Sequence, residues 1–178
     1  MKLQLMLSGV GGQGVMSIGE LFCSAVAGKN KTVTFSPTYG AEKRGGRTMC
    51  QIVVSDKTTS PIVSSVDVLM VMDEKSLDDY ADYVKKGGTL ILNSNLVKKD
   101  ANRDDVKICK VPLNDMAVQA GNAKCLNMVA LGCVLKFQSV LSLDDIKAEL
   151  PGVFPGKKSR LIPVNELALD MGYAAVEA

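Results

Sequence analysis

Between residues 9 and 14 the chain reads Gly-Val-Gly-Gly-Gln-Gly, and this run restricts the local fold more than any other stretch. The residues before it, Lys-Leu-Gln-Leu-Met-Leu-Ser at 2–8, alternate apolar and polar and then turn wholly apolar. Such a pattern predicts a buried strand ending on a turn-former. After it, Val15, Ile18, Leu21, Phe22, Ala25 and Val26 recur at helical spacing and predict a helix over 15–27. Gly9, Gly11 and Gly14 therefore meet the G-x-G-x-x-G spacing in a strand–turn–helix setting. There the first glycine permits a tight turn, the second lets backbone approach a ligand, and the third lets helix pack on strand. The helix start that follows presents unpaired amides and a positive dipole end, which favour phosphate or carboxylate.

The 178 residues are 47% apolar, with Leu, Val and Ile spread throughout, so one domain over residues 1–178 is expected. A chain of this length buries roughly 70% of its unfolded surface. The formal charge is +2 with both signs interspersed, and Trp is absent. Neither a basic field nor stacking aromatics mark a nucleic-acid partner, and no membrane partner is expected. The apolar start is too short for a membrane span or a secretory leader, and a cytoplasmic location is expected. Five cysteines (Cys23, Cys50, Cys109, Cys125, Cys133) are odd in number and contain no C-x-x-C. They are expected to be reduced and mostly buried rather than disulfides or cluster ligands. With no histidine in the chain, Ser-His-Asp and Cys-His catalysis and imidazole-dependent zinc sites are excluded.

Gly28 to Asn30 suits a helix cap, and the β-branched run at 32–36 predicts a second strand, parallel to the first through a right-handed crossover. A nicotinamide-binding unit places an acid at the end of that strand. Phe35, Ser36, Pro37 and Thr38 stand there instead, which argues against that cofactor. The next loop, Pro-Thr-Tyr-Gly-Ala-Glu-Lys-Arg-Gly-Gly-Arg at 37–47, flanks glycines with Lys43, Arg44 and Arg47. Forked cationic donors beside bare backbone can hold an anion, whereas an ordinary loop of this kind is a solvated turn. Its place at the sheet edge carrying the first glycine turn favours the anion site.

Further strands are expected over 48–55, free to run antiparallel because no helix separates it from the second strand, and over 66–72, 89–93 and 106–111. Helices are expected over 77–86 (closed by Gly87-Gly88), 112–120, 124–137, 142–150 and 161–175, with a polar, mobile connection over 94–105. Gly132 lies inside a helix, where glycine costs up to about 1 kcal/mol relative to Ala, so close packing there is expected. Asn127 on the same helix is either a surface polar residue or a buried donor for a ligand or partner. A second basic cluster, Lys157, Lys158 and Arg160, falls in a Gly/Pro-rich loop over 151–160 and reads as a solvated surface. The fold class expected is α/β: a three-layer α/β/α, Rossmann-like domain with a mostly parallel, mixed sheet.

Gly9-Val-Gly-Gly-Gln-Gly-Val15 followed by Tyr39-Gly40-Ala41-Glu42-Lys43-Arg44-Gly45-Gly46 resembles the gamma subunit of 2-oxoacid:ferredoxin oxidoreductases, of the 2-oxoglutarate/2-oxoisovalerate type. The indolepyruvate-type subunit is an alternative, although it usually lacks the Y-G-x-E part. The resemblance spans essentially the whole chain, including Asn127-Met128 and Asn165. It implies oxidative decarboxylation of a 2-oxoacid with coenzyme A, giving acyl-CoA, carbon dioxide and reduced ferredoxin, in anaerobic and pyruvate metabolism. It also implies alpha and beta subunits carrying thiamine diphosphate and Mg2+, and a ferredoxin-like delta subunit carrying [4Fe–4S] clusters. This chain would bind none of these cofactors alone and would be inactive in isolation. Coenzyme A would be a shared substrate at Gly9, Gly11, Gly12, Gln13, Gly14, Tyr39, Glu42, Lys43, Arg44, Gly45, Gly46 and Arg47, with no catalytic or metal-ligating residue. Two competing readings are a pure assembly module, whose glycine loops only pack on partners, and a free-standing nucleotide-binding oxidoreductase.

Overall fold

A computed structural model of the chain describes residues 2–29, 31–41 and 45–177. Its centre is a six-stranded sheet in the order β2-β3-β1-β4-β5-β6. The strands are β1 (Lys2–Val10), β2 (Thr32–Tyr39), β3 (Arg47–Ser55), β4 (Val66–Val71), β5 (Val84–Asn93) and β6 (Lys107–Val111). β4 runs parallel to β1, and β5 and β6 continue in the same sense. β3 is antiparallel to both β1 and β2. The first and second strands thus share a direction but are not neighbours, because the third lies between them. The reason is local: Cys50, Ile52, Val53 and Val54 are buried and claim an interior place. β2 is only half-buried and contains Pro37, which has no N–H to give a ladder and so belongs on an edge.

Leu3, Leu5 and Leu7 of β1 face one side and Met6 the other, each within its own apolar cluster. The first side carries α1 (Val15–Ala27), α3 (Leu113–Gln119), α4 (Leu126–Leu135), α5 (Leu143–Val153) and α6 (Ile162–Ala174). The other is closed by α2 (Glu74–Tyr80), its 3-10 extension Ala81–Tyr83, and the segments around Val63 and Val97. The result is the three-layer, Rossmann-like α/β arrangement with a mixed sheet. Among the described residues no helix is long and apolar enough to cross a membrane.

Two expected boundaries are corrected. The helix expected over 77–86 ends at Tyr80, and Lys85 and Lys86 already belong to β5. Lys85 Nζ bonds Asp67 Oδ1 at 2.6 Å and Gln4 Oε1 at 2.8 Å, so a strand partner, not a helix dipole, holds it. Gly87 (φ 77) and Gly88 then form an irregularity within the strand pairing rather than a helix stop. α5 runs past Leu150 through Pro151 to Val153, with the ladder resumed by Phe154 N–H donating to Leu150 O at 2.9 Å. Lys157, Lys158 and Arg160 sit on the 3-10 turn Gly156–Leu161 and are exposed. The connection over 94–105 is irregular, as expected, and Arg103 ties it to Ala81 O, Val84 O and Asp105.

α4 is buried on nearly every side, with Asn127 the exception, as befits a helix enclosed between sheet and helix. Gly132 meets α6 backbone to backbone: a Cβ there would strike Leu169 O and lie 3.1 Å from Gly172 Cα. Close packing at this glycine was the expectation, and α6 supplies it.

Candidate functional site

Because β1 is central and α1 follows at once, the glycine turn lies at the C-terminal edge of the sheet, where open α/β sheets bind ligands. Gly12 (φ 99) and Gly14 (φ 77) adopt the left-handed backbone that only glycine enters freely. Gly14 is the residue capping α1 and has no side chain to satisfy the first-turn amides, and that turn contains no acid. Those amides remain available to an anion. Gln13 takes another part. Its Oε1 accepts from Val10 N–H at 2.8 Å and its Nε2 donates to Met72 O at 3.2 Å, clamping the turn onto β1 and the end of β4. A Cβ at Gly9 would collide with that same Gln13 oxygen. Gly9 and Gln13 therefore build the turn from behind, turned away from its open side.

The second motif is the connection between β2 and β3, which pair from Tyr39 opposite Thr48. Gly40 N–H donates to Arg47 O at 2.6 Å, and Gly11 N–H donates to Gly46 O at 2.8 Å, which stitches the two motifs together. Between them lies a cleft of ≈ 710 Å³. Gly11, Gly12, Gly14 and Ser17 form one wall, and Tyr39, Gly45, Gly46 and Arg47 form the other. Glu42, Lys43 and Arg44, expected to contribute here, lie outside the described residues. Arg47 is engaged by an ion pair with Asp79 on α2, so its charge is partly answered within the chain. Tyr39 stands 64% exposed at the rim.

Two contacts escaped the sequence reading. Asp79 gave no local sign that it would meet Arg47. Asn127, expected as either a surface polar residue or a buried donor, has a neighbour that no local pattern announces: a Cβ at Gly14 would lie 2.8 Å from Asn127 Nδ2. The third glycine of the motif thus admits α4, as well as letting the turn form.

Bond-making groups are scarce around this cleft. Burial pushes the thiols of Cys23, Cys50 and Cys133 up to about 12, so they remain protonated and poorly nucleophilic at neutral pH. No three His, Cys, Asp or Glu gather for a metal among the described residues. Amides, glycine and a cation suit the cleft to holding an anionic ligand.

Residues 4–175 match the family model of pyruvate ferredoxin/flavodoxin oxidoreductase. The chain is similar to the 2-oxoglutarate synthase subunit KorC of Methanocaldococcus jannaschii, with 31% identity over 178 residues covering 97% of this chain and 93% of that one. It is similar also to the ketoisovalerate oxidoreductase subunit VorA of Methanothermobacter thermautotrophicus, with 30% identity over 174 residues. That match covers 96% of this chain but spans only 36% of the relative's length. Among solved structures, the gamma subunit of a keto/oxoacid ferredoxin oxidoreductase from Geobacter sulfurreducens aligns with a TM-score of 0.83 at 25% identity, covering 97% of each chain.

Proposed function

Since the chain belongs to the pyruvate ferredoxin/flavodoxin oxidoreductase family, we propose that it serves as the gamma-type subunit of a 2-oxoacid:ferredoxin oxidoreductase and helps position coenzyme A. In this reading it docks on alpha and beta subunits, which hold thiamine diphosphate and Mg2+, beside a ferredoxin-like delta subunit with [4Fe–4S] clusters that passes electrons to ferredoxin. Those partners supply decarboxylation and electron transfer. This chain supplies a binding wall. The supporting observation is the ≈ 710 Å³ cleft between the bare start of α1 and the glycine-rich connection that carries Arg47. Amides at a helix start and forked cationic donors hold phosphate oxygens without chemistry of their own.

The test is Arg44→Glu in the assembled complex. Reversing one of the loop's cationic charges is expected to raise KM for coenzyme A by about tenfold, with kcat and assembly retained. An unchanged KM removes the ligand role. The exposed Tyr39 favours a second reading, in which the rim docks on a partner, because tyrosine suits interfaces. If Tyr39→Ala and Arg44→Glu both abolish co-elution with the other subunits, docking is the role of these loops.

A further inference from the structure

The turn between α5 and α6, Gly156–Leu161, places Lys157, Lys158 and Arg160 almost side by side, all exposed. It is a 3-10 turn, in which side chains three apart lie one above the other, so Lys157 and Arg160 share a side. The turn is held rather than loose. Lys158 N–H donates to Pro155 O at 3.2 Å, Asn165 Nδ2 donates to Leu161 O at 2.6 Å, and Gly156 opens it at φ 58. Lys124, exposed just before α4, borders the same hollow as Phe154 and Leu161, which brings a fourth cation near the turn.

Neighbouring cations in this layer are answered within the chain. Lys29 pairs with Asp145 at 2.7 Å and Lys147 with Asp170 at 2.7 Å, while Glu149 accepts from Ser24 Oγ at 2.6 Å. Among the described residues no acid pairs with Lys157, Lys158, Arg160 or Lys124, not even Glu166, the nearest acid in sequence to the turn. Like charges crowded on one helical face cost stability, and an external acidic group would relieve that cost. The flanking helices add apolar surface, with Val153 45% exposed and Leu167 47%. Apolar side chains bordered by charge make up the edge of a protein–protein contact.

A small anion is a poor match, because such ligands are held in concave sites and these side chains stand out from an exposed turn. A nucleic acid calls for a broad basic field and stacking aromatics, whereas the chain carries only +2 and no Trp. An acidic protein face answers the cations and the apolar flanks together.

We propose that the turn Gly156–Leu161 docks on an acidic face of a partner subunit, with Lys157, Lys158 and Arg160 steering the approach. This rests on the reading of the chain as one subunit of an assembly and names the charge of the surface it meets.

The test follows association of the full chain with the remaining subunits of its complex, at low and at high sodium chloride. Charges of this kind act chiefly on the rate of encounter and are screened by salt. Association of the unmodified chain is expected to slow as salt rises. The combined variant Lys157→Glu, Lys158→Glu, Arg160→Glu is expected to associate about tenfold more slowly at low salt, with dissociation little changed. Glutamine at the same three positions keeps the length and removes the charge. It is expected to fall between the two and carries the test should the reversed variant fail to fold. Equal rates in all three proteins, or association indifferent to salt, overturn the proposal. So does a raised KM for coenzyme A with association unchanged, which would assign the cations to the ligand. If the unmodified chain fails to join the other subunits at all, the subunit reading itself falls and takes the docking face with it.

Discussion

Where α4 meets α6, a methyl group added at Gly132 would strike Leu169 O, and one added at Gly172 would strike Val129 O. In the cleft, a methyl at Gly12 or Gly45 would meet nothing within 4 Å, and one at Gly11 would come no nearer than 3.6 Å to Gly45 N. The same residue type is thus kept for opposite reasons. At the helix contact the fold itself uses up the missing side chain, because two backbones occupy the space. In the cleft, Gly12 (φ 99) and Gly45 (φ 66) are explained by backbone conformation. Gly11 is explained by neither crowding nor a left-handed φ.

The contrast is broken most directly at the helix contact. Gly132→Ala gains up to about 1 kcal/mol of helix propensity but forces α4 and α6 apart. Overpacking costs up to about 3 kcal/mol, so a net loss of about 2 kcal/mol and a fall in Tm of roughly 4–8 °C are expected. A thermal scan returning the unmodified Tm would show the two helices separating freely. In the cleft the effect should move from stability to binding. Gly11→Ala is expected to leave stability within about 0.5 kcal/mol while raising KM for coenzyme A roughly threefold in the assembled complex. Destabilisation on the scale of Gly132→Ala would mean this glycine, too, is consumed by packing.

The smallest effect supplies a baseline away from both regions. Asp145 opens α5 in a capping box with Ser142. Hydrogen bonds from Lys29 first, then from the Ser142 backbone and hydroxyl, hold its carboxyl down to about 2. A depressed folded value means its contribution is complete above the unfolded value near 4 and is lost as pH falls toward 2. Asp145→Asn should flatten the loss of stability over that window, seen in acid titration of the folded signal. Ligand affinity should be unmoved by it.

Much of this was legible because it is local. The strand–turn–helix at the start, the buried β4 and the packing demand at Gly132 follow from spacing within a dozen residues. The shared sheet edge of the two motifs followed from the direction of β2 alone. Lys85-Lys86-Gly87-Gly88 misled, since cations before glycines imitate a helix end; Asp67 and Gln4, distant in sequence, make Lys85 a strand residue. Gln13, expected among the coenzyme A contacts, likewise meets a distant partner through its side-chain amide. Its partner is Met72 O, 59 positions later. Asp79 against Arg47 and Asn127 against Gly14 are likewise long-range meetings that no local pattern announces.

The bond from Gly11 N–H to Gly46 O joins peptide to peptide. Exchanging one side chain for another leaves both of its atoms in place, so gradual drift in either loop preserves the seam. Adding or deleting a residue would shift donor past acceptor. Descendants of this sequence are therefore expected to inherit the lengths of the two loops together, as one trait, while their side chains diversify independently.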